Sequence, residues 1–99
     1  MMKVEQMINT RGNGAMNQFV ITSEDKTVFQ SYESMIVTMD YPTKTITIGR
    51  DYDYSKTTGK HRNIFFNDYA NLSGLATKKG LDEAIKNGSY GSWIVKMES

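Results

Sequence analysis

The sequence predicts an α+β protein, in which an antiparallel sheet of about four to five strands carries one or two helices on one face. Three observations predict this class. Residues 16–49 contain short runs rich in β-branched and aromatic residues, separated by polar turns. Within them, isoleucine and threonine alternate at residues 44–49, which is typical of a strand with one buried face. Residues 77–87 instead place apolar side chains three and four positions apart, as one face of a helix requires.

The links between the first four expected strands are too short for a parallel crossover, so neighbouring strands should pair antiparallel. The strands are predicted at residues 16–22, 27–32, 35–39 and 44–49, with a closing strand at residues 92–97. Residues 3–8 fit either a short strand or a frayed start, within a flexible or weakly ordered stretch 1–14. At 99 residues the chain is expected to be a single domain, residues 1–99.

Two helices are predicted after the fourth strand. Ser55 is a favourable N-cap for the first helix, and Phe65 and Phe66 are expected to anchor it to the sheet. Gly59 inside this helix costs about 1 kcal/mol relative to alanine. A loop over residues 55–66 is therefore the alternative.

The second helix should begin after Thr77, another good N-cap, and end at Asn87. Acidic side chains lie near its start and Lys86 lies near its end, as the helix dipole favours. Gly88 follows directly and can adopt the left-handed conformation that ends many helices. Together these signals define a helix with clear limits at both ends.

Composition excludes several classes of function. The chain has 12 basic and 11 acidic residues, a formal charge of +1, so it lacks the basic balance of a dedicated nucleic-acid binder. It has no cysteine, which excludes disulfides, thiolate catalysis and cysteine-ligated zinc, and we expect no cofactor. No apolar run is long enough for a signal peptide or a membrane span. We therefore expect a cytoplasmic location without membrane contact.

No catalytic motif is recognisable. Gly59-Lys60 invites comparison with a phosphate-binding P-loop, but that pattern needs glycine where this chain has Tyr54. It also needs serine or threonine where the chain has His61. His61 is the only histidine, and a surface histidine is the favoured interpretation. General acid–base catalysis by His61, as in metal-independent RNA cleavage, is an alternative.

A metal site is weighed at the two neighbouring aspartates. Asp51 and Asp53 would share one face of an extended segment and could hold a divalent cation if Asp68 joined them. The favoured interpretation is a polar, solvated strand end, or pairing of the two aspartates with Arg50 and Lys56. No metal site is therefore predicted.

The most informative stretch is residues 52–66. Residues 50–62 contain four lysines and arginines against two aspartates, a local charge of +2, and tyrosines alternate with them. Such cations can contact phosphates, and exposed aromatic rings can stack on bases or anchor a protein interface. Tyr90, close to two glycines, is a further expected anchor. The candidate binding residues are therefore Tyr52, Tyr54, Lys56, Lys60, His61, Arg62 and Tyr90.

Two motifs carry a resemblance to a known family. They are residues 29–36 (FQSYESMI) and residues 53–63 (DYSKTTGKHRN), and IKNGSY at residues 85–90 is also similar. Across residues 16–90 the chain resembles a group of small bacteriophage-encoded proteins of unknown function. The resemblance implies no catalytic activity. It implies a small phage protein that acts in the host cytoplasm, where such proteins often bind and redirect host factors, including antiviral defence factors.

Three functions remain open. The leading hypothesis is a non-enzymatic phage accessory protein that binds a host macromolecule, expected to be a host protein such as a defence or regulatory factor. The first alternative is nonspecific RNA or DNA binding by the basic residues Arg50, Lys56, Lys60 and Arg62. The second alternative is a small metal-independent nuclease that uses His61. A homodimer is also possible, because an unpaired edge strand can pair with a second copy.

Overall fold

Seven strands form one sheet in the computed structural model, which describes residues 2–8 and 11–98. The strands are β1 (Lys3–Ile8), β2 (Gly14–Thr22), β3 (Lys26–Ser31), β4 (Ser34–Asp40), β5 (Thr45–Ile48), β6 (Ser89–Tyr90) and β7 (Trp93–Met97). Their order across the sheet is β1-β2-β3-β4-β5-β7-β6. All neighbours pair antiparallel except β5 and β7, which are parallel because the helices lie between them in the chain.

The α+β class is therefore confirmed, and the predicted number of strands is too small. The five expected strands are all present, with limits shifted by one or two residues at most ends. Of the two alternatives for residues 3–8, a short strand or a frayed start, the structure contains the strand. It pairs with β2 from Lys3 to Ile8. The short strand β6 was not predicted, because two residues beside glycines give no periodic signal. Residues 1, 9 and 10 of the expected flexible start lie outside the described residues.

The first helix, α1 (Lys56–Ile64), begins as predicted. The Ser55 backbone is extended, and its side-chain oxygen accepts a hydrogen bond from the Thr58 backbone N–H. The helix then widens into a π-helical turn, Phe65–Tyr69, in which the Ala70 N–H donates to the carbonyl oxygen of Phe65. The sequence pattern predicted one regular helix here, and the wider turn instead buries two consecutive phenylalanines completely.

The second helix, α2 (Lys78–Asn87), has both predicted caps. The Thr77 hydroxyl oxygen accepts from the Gly80 N–H at 3.1 Å. Gly88 lies in the left-handed region with φ 75° and closes the helix through hydrogen bonds to Ala84 and Ile85. A short 3-10 turn, Ser73–Leu75, connects the π-helical turn to α2.

One face of the sheet is covered by the helical layer and forms the core. The ring of Phe65 stacks on Phe29 of β3 at a centroid distance of 5.6 Å, which fixes the end of α1 on the centre of the sheet. Cross-strand neighbours of Phe29 on the same face, such as Val20 and Val37, are also buried. The predicted anchoring of the first helix by phenylalanines is therefore confirmed. No helix of the described residues is long and apolar enough to cross a membrane.

The sheet has one long free edge. It is formed by β1, which pairs only with β2. Lys3 and a bulge between Gln6 and Ile8 lie on this edge, and both features discourage pairing with another strand. A homodimer through this edge remains a prediction, and light scattering at several protein concentrations would measure it as a mass of twice the monomer.

Candidate functional site

Arg62 is held inside the fold. Its side chain is only 2% exposed, and its Nη1 donates to the backbone oxygen of Tyr52 at 2.6 Å. The same atom lies 3.6 Å from a carboxylate oxygen of Asp53, and the guanidinium lies 5.7 Å from the centre of the Tyr52 ring. Nη2 donates to Asn63, while Nε has no partner among the described residues. Arg62 therefore joins the segment before α1 to the helix and does not face a ligand.

Tyr52, which is half-buried, belongs to the same cluster of contacts around Arg62. Its hydroxyl donates to Asp82 of α2 at 3.0 Å, and Lys78 donates to the other Asp82 oxygen at 2.6 Å. Lys78 also lies 3.7 Å from Asp53, so one ionic network connects residues 52–53 with both helices. The hydrogen bond from Lys78 lowers the pKa of Asp82 below its ordinary 3.8, while burial, followed by the bond to Asp82, raises the pKa of Tyr52.

This network makes stability depend on pH in the acid range. Because the pKa of Asp82 is lower in the folded chain than its ordinary 3.8, its ionised form stabilises the fold above that pH, and this contribution is lost as the pH falls below it. We expect Asp82→Asn to lower the thermal midpoint at neutral pH and to leave it almost unchanged at about pH 2. Thermal unfolding followed by circular dichroism at both pH values measures this.

The control for that experiment is Glu83→Gln, which removes one negative charge from the next, exposed position of α2. A fall in midpoint for Asp82→Asn that is the same at both pH values would contradict the assignment, because a purely structural loss does not depend on ionisation.

His61 is also buried. Its Nδ1 donates to the backbone oxygen of Thr57, one turn earlier in α1, at 2.8 Å. Lys60 is exposed while Arg62 points into the fold, so the three consecutive residues do not converge on one pocket. None of them lines the main cleft of the structure. The prediction that His61 lies on the surface is therefore wrong, because its ring is buried and bonded to the backbone of its own helix.

The remaining predicted binding residues separate into two groups. Lys56 and Lys60 are exposed on α1, and Arg50 is exposed before it, so three of the four expected cations can reach a partner. Tyr90 is half-buried, and its ring lies against Gly74, which makes it part of the packing between the 3-10 turn and β6. Tyr54 is 79% exposed, the most exposed of the three tyrosines in the set.

Tyr54 stands at the rim of a cleft of about 860 Å³ that sequence reasoning did not find. One wall is the turn between β3 and β4, including Tyr32, Glu33 and Ser34. The other is the start of α1 with the segment before it. The lining from that side consists of Asp51, Tyr54, Ser55, Thr57 and Thr58. Both motifs that carry the family resemblance therefore meet here.

The backbone around the cleft is shaped by two residues with positive φ. Asn17 has φ 63° and Tyr32 has φ 55°, and both line the cleft. The Tyr32 N–H donates to the Asn17 oxygen at 2.7 Å, which fixes the turn between β3 and β4 beside β2. Asparagine tolerates this conformation, but for tyrosine it is unfavourable. Strained residues of this kind concentrate at functional sites.

Hydroxyl groups hold the two walls together. The hydroxyls of Ser31 and Thr58 lie 3.1 Å apart in a buried hydrogen bond, which connects β3 to the first turn of α1. Ser34 donates to Asp51 at 2.9 Å across the opening. These contacts hold the polar side chains of Ser31, Ser34, Asp51 and Thr58 in place before any ligand arrives.

The aspartates weighed as metal ligands have separate partners. Asp51 accepts from Ser34, and Asp53 contacts Arg62 and Lys78. Asp68 accepts from its neighbour Asn67 at 2.7 Å. Within residues 2–8 and 11–98, no three histidine, cysteine, aspartate or glutamate residues are grouped so that they could hold a metal ion.

Fold and cleft together define a small α+β protein with a seven-stranded sheet, one helical layer and an open polar cleft. The chain belongs to the family of unknown function DUF8033, whose model matches residues 2–83. This match confirms the expected membership of a family without known function, and the match includes every residue that lines the cleft. No curated protein and no solved structure is significantly similar to the chain.

Proposed function

We propose that this protein is a non-enzymatic binding protein that recognises a partner protein through the cleft between the β3–β4 turn and α1. One observation carries the proposal: two tyrosines from different walls of the cleft, Tyr32 and Tyr54, are 53% and 79% exposed. Tyrosine is enriched at protein interfaces because it buries a large rigid ring at a small entropic cost and still offers a hydroxyl.

The partner we propose is a host protein, such as a defence or regulatory factor, met in the host cytoplasm. The resemblance to small bacteriophage proteins supports this choice of partner and location. A rigid polar cleft also fits protein recognition, because a preorganised surface loses little conformational freedom on binding.

Nucleic-acid binding receives less support from the same geometry. It relies on cations that follow a phosphate backbone, and Arg62 is engaged by Tyr52 and Asp53. Catalysis by His61 receives less support as well, because the ring is buried against its own helix and lies outside the cleft.

Affinity capture from host lysate tests the proposal. Tagged wild-type protein should recover a partner that is retained after nuclease treatment, and Tyr54→Ala should reduce its recovery by about tenfold, as loss of an interface hot spot does. Lys60→Ala is the matched control, since Lys60 is exposed on α1 but lies outside the cleft.

The opposite pattern would overturn the proposal. Capture that is lost with Lys60→Ala, or after nuclease treatment, and retained with Tyr54→Ala would assign binding to nucleic acid on the basic helix face. Equal capture by all three proteins would also exclude the cleft.

A further inference from the structure

The side chains that line the cleft carry a charge opposite to that of residues 50–62 as a whole. Its lining includes two carboxylates, Glu33 and Asp51, and no lysine, arginine or histidine. The whole chain carries +1, so this surface is locally acidic on a nearly neutral protein. An anionic ligand would be repelled here, and a cationic group would be attracted.

The first turn of α1 does not reverse that preference. A helix N-terminus attracts anions through its free N–H groups. Here the Ser55 side chain already accepts from the Thr58 N–H. The Asp51 carboxylate also lines this wall of the cleft, and no lysine or arginine side chain lines it beside Asp51.

One buried polar side chain is a neighbour of two residues that line the cleft. Gln18 is fully buried, and both polar atoms of its amide have no hydrogen-bond partner among the described residues. It is the cross-strand neighbour of Ser31, so the two side chains lie on the same face of the sheet. Ser31 and Asn17, the residue before Gln18, both line the cleft. A buried amide without partners is costly. Gln18 itself is not part of the lining, so the acceptors within reach of a ligand are those of the lining side chains.

Two exposed tyrosine rings, carboxylates and neutral acceptors together form the environment that a guanidinium group prefers. Its five N–H donors suit several acceptors at once, and its planar face stacks on aromatic rings. The chain uses the same combination internally, where Arg62 contacts the ring of Tyr52 and the carboxylate of Asp53.

We propose that the cleft binds an arginine side chain presented by the partner protein. This inference rests on the proposed function, because it names the chemistry by which the partner is recognised. Tyr32 and Tyr54 contact the faces of the guanidinium, and Glu33 and Asp51 neutralise its charge. Binding therefore weakens as salt is added.

Selection from a library of random peptides displayed on yeast tests this without knowledge of the partner. The wild-type protein is the bait, and the double variant Glu33→Gln/Asp51→Asn removes peptides that bind elsewhere. We expect the retained peptides to share an arginine. Replacing that arginine by citrulline, its neutral isostere, in a synthetic peptide should weaken binding about tenfold.

Matched controls separate the charge of the cleft from its structure. The two substitutions keep the side-chain shape, and the amide oxygen that Asp51→Asn introduces can still accept from Ser34, so thermal unfolding should show an intact fold. Glu83→Gln removes a charge on the exposed surface of α2 and should leave peptide binding unchanged.

Two results would overturn the inference. One is a set of peptides that depend on the cleft but contain no arginine, or whose arginine can be replaced by citrulline without loss of binding. The other is no peptide that distinguishes the wild type from the double variant. The proposed function is judged separately by lysate capture, so capture that depends on Tyr54 together with either result would retain the protein-binding function and reject arginine as its target.

Discussion

Replacing Arg62 by alanine is expected to lower the free energy of unfolding by about 3 kcal/mol. The substitution removes the hydrogen bond to the Tyr52 backbone oxygen and leaves that partly buried acceptor without its partner. It also removes the ion pair with Asp53 and opens a cavity where the fully packed side chain lay. Urea unfolding of both proteins measures the difference.

Two further variants identify the cause of that loss. Arg62→Met restores most of the volume without the charge, so its stability relative to Arg62→Ala separates packing from hydrogen bonding. Lys60→Ala, two residues earlier and exposed, should change stability by less than about 0.5 kcal/mol. If Arg62→Ala proved as stable as the wild type, the guanidinium would not be structural, and a role in ligand binding would regain support.

Replacing Gly49 by alanine is expected to cost about 3 kcal/mol as well, through a backbone collision. Gly49 is buried directly after β5, and its N–H donates to the Ile36 oxygen at 2.8 Å. A methyl group at this position would meet the backbone oxygen of Met35. Because that atom belongs to β4, the clash can be relieved only by moving β4 away from Gly49. The same strand contributes Ile36 to the lining of the cleft.

The control is the same substitution at Gly59, inside α1. A methyl group there would lie 3.7 Å from the Arg62 guanidinium, an ordinary contact, and alanine is the better helix former. We therefore expect Gly59→Ala to stabilise the protein by about 0.5–1 kcal/mol. Chemical denaturation decides both cases, and equal stabilities for Gly49→Ala and the wild type would contradict the close approach of β4.

The sequence predicts those parts of the fold that depend on neighbouring residues. Ser55, Thr77 and Gly88 mark helix ends because each cap is satisfied within a few positions of the chain. The alternation of isoleucine and threonine at residues 44–49 predicts β5 equally clearly. The π-helical turn could not be predicted, because it depends on how Phe65 and Phe66 both reach the sheet.

The candidate site was predicted only in part, for a physical reason. The sequence predicts an exposed basic surface at residues 50–62. Arg62 is instead buried against Tyr52 and Asp53, and only the fold brings these partners to it. Tyr54 was identified as a binding residue, and it does lie on a cleft. The opposite wall comes from Asn17 and the β3–β4 turn, which are distant in sequence and carry no charge pattern, so no local signal could join the two walls.

We propose that the cleft, and not the basic face of α1, contacts the partner. Site-specific photocrosslinking in host cells tests it most directly, with the photoreactive residue benzoylphenylalanine replacing either Tyr54 or Lys60. We expect a covalent adduct with a protein when the probe replaces Tyr54, and none when it replaces Lys60. An adduct formed only from position 60, or one whose mass is removed by nuclease, would contradict it.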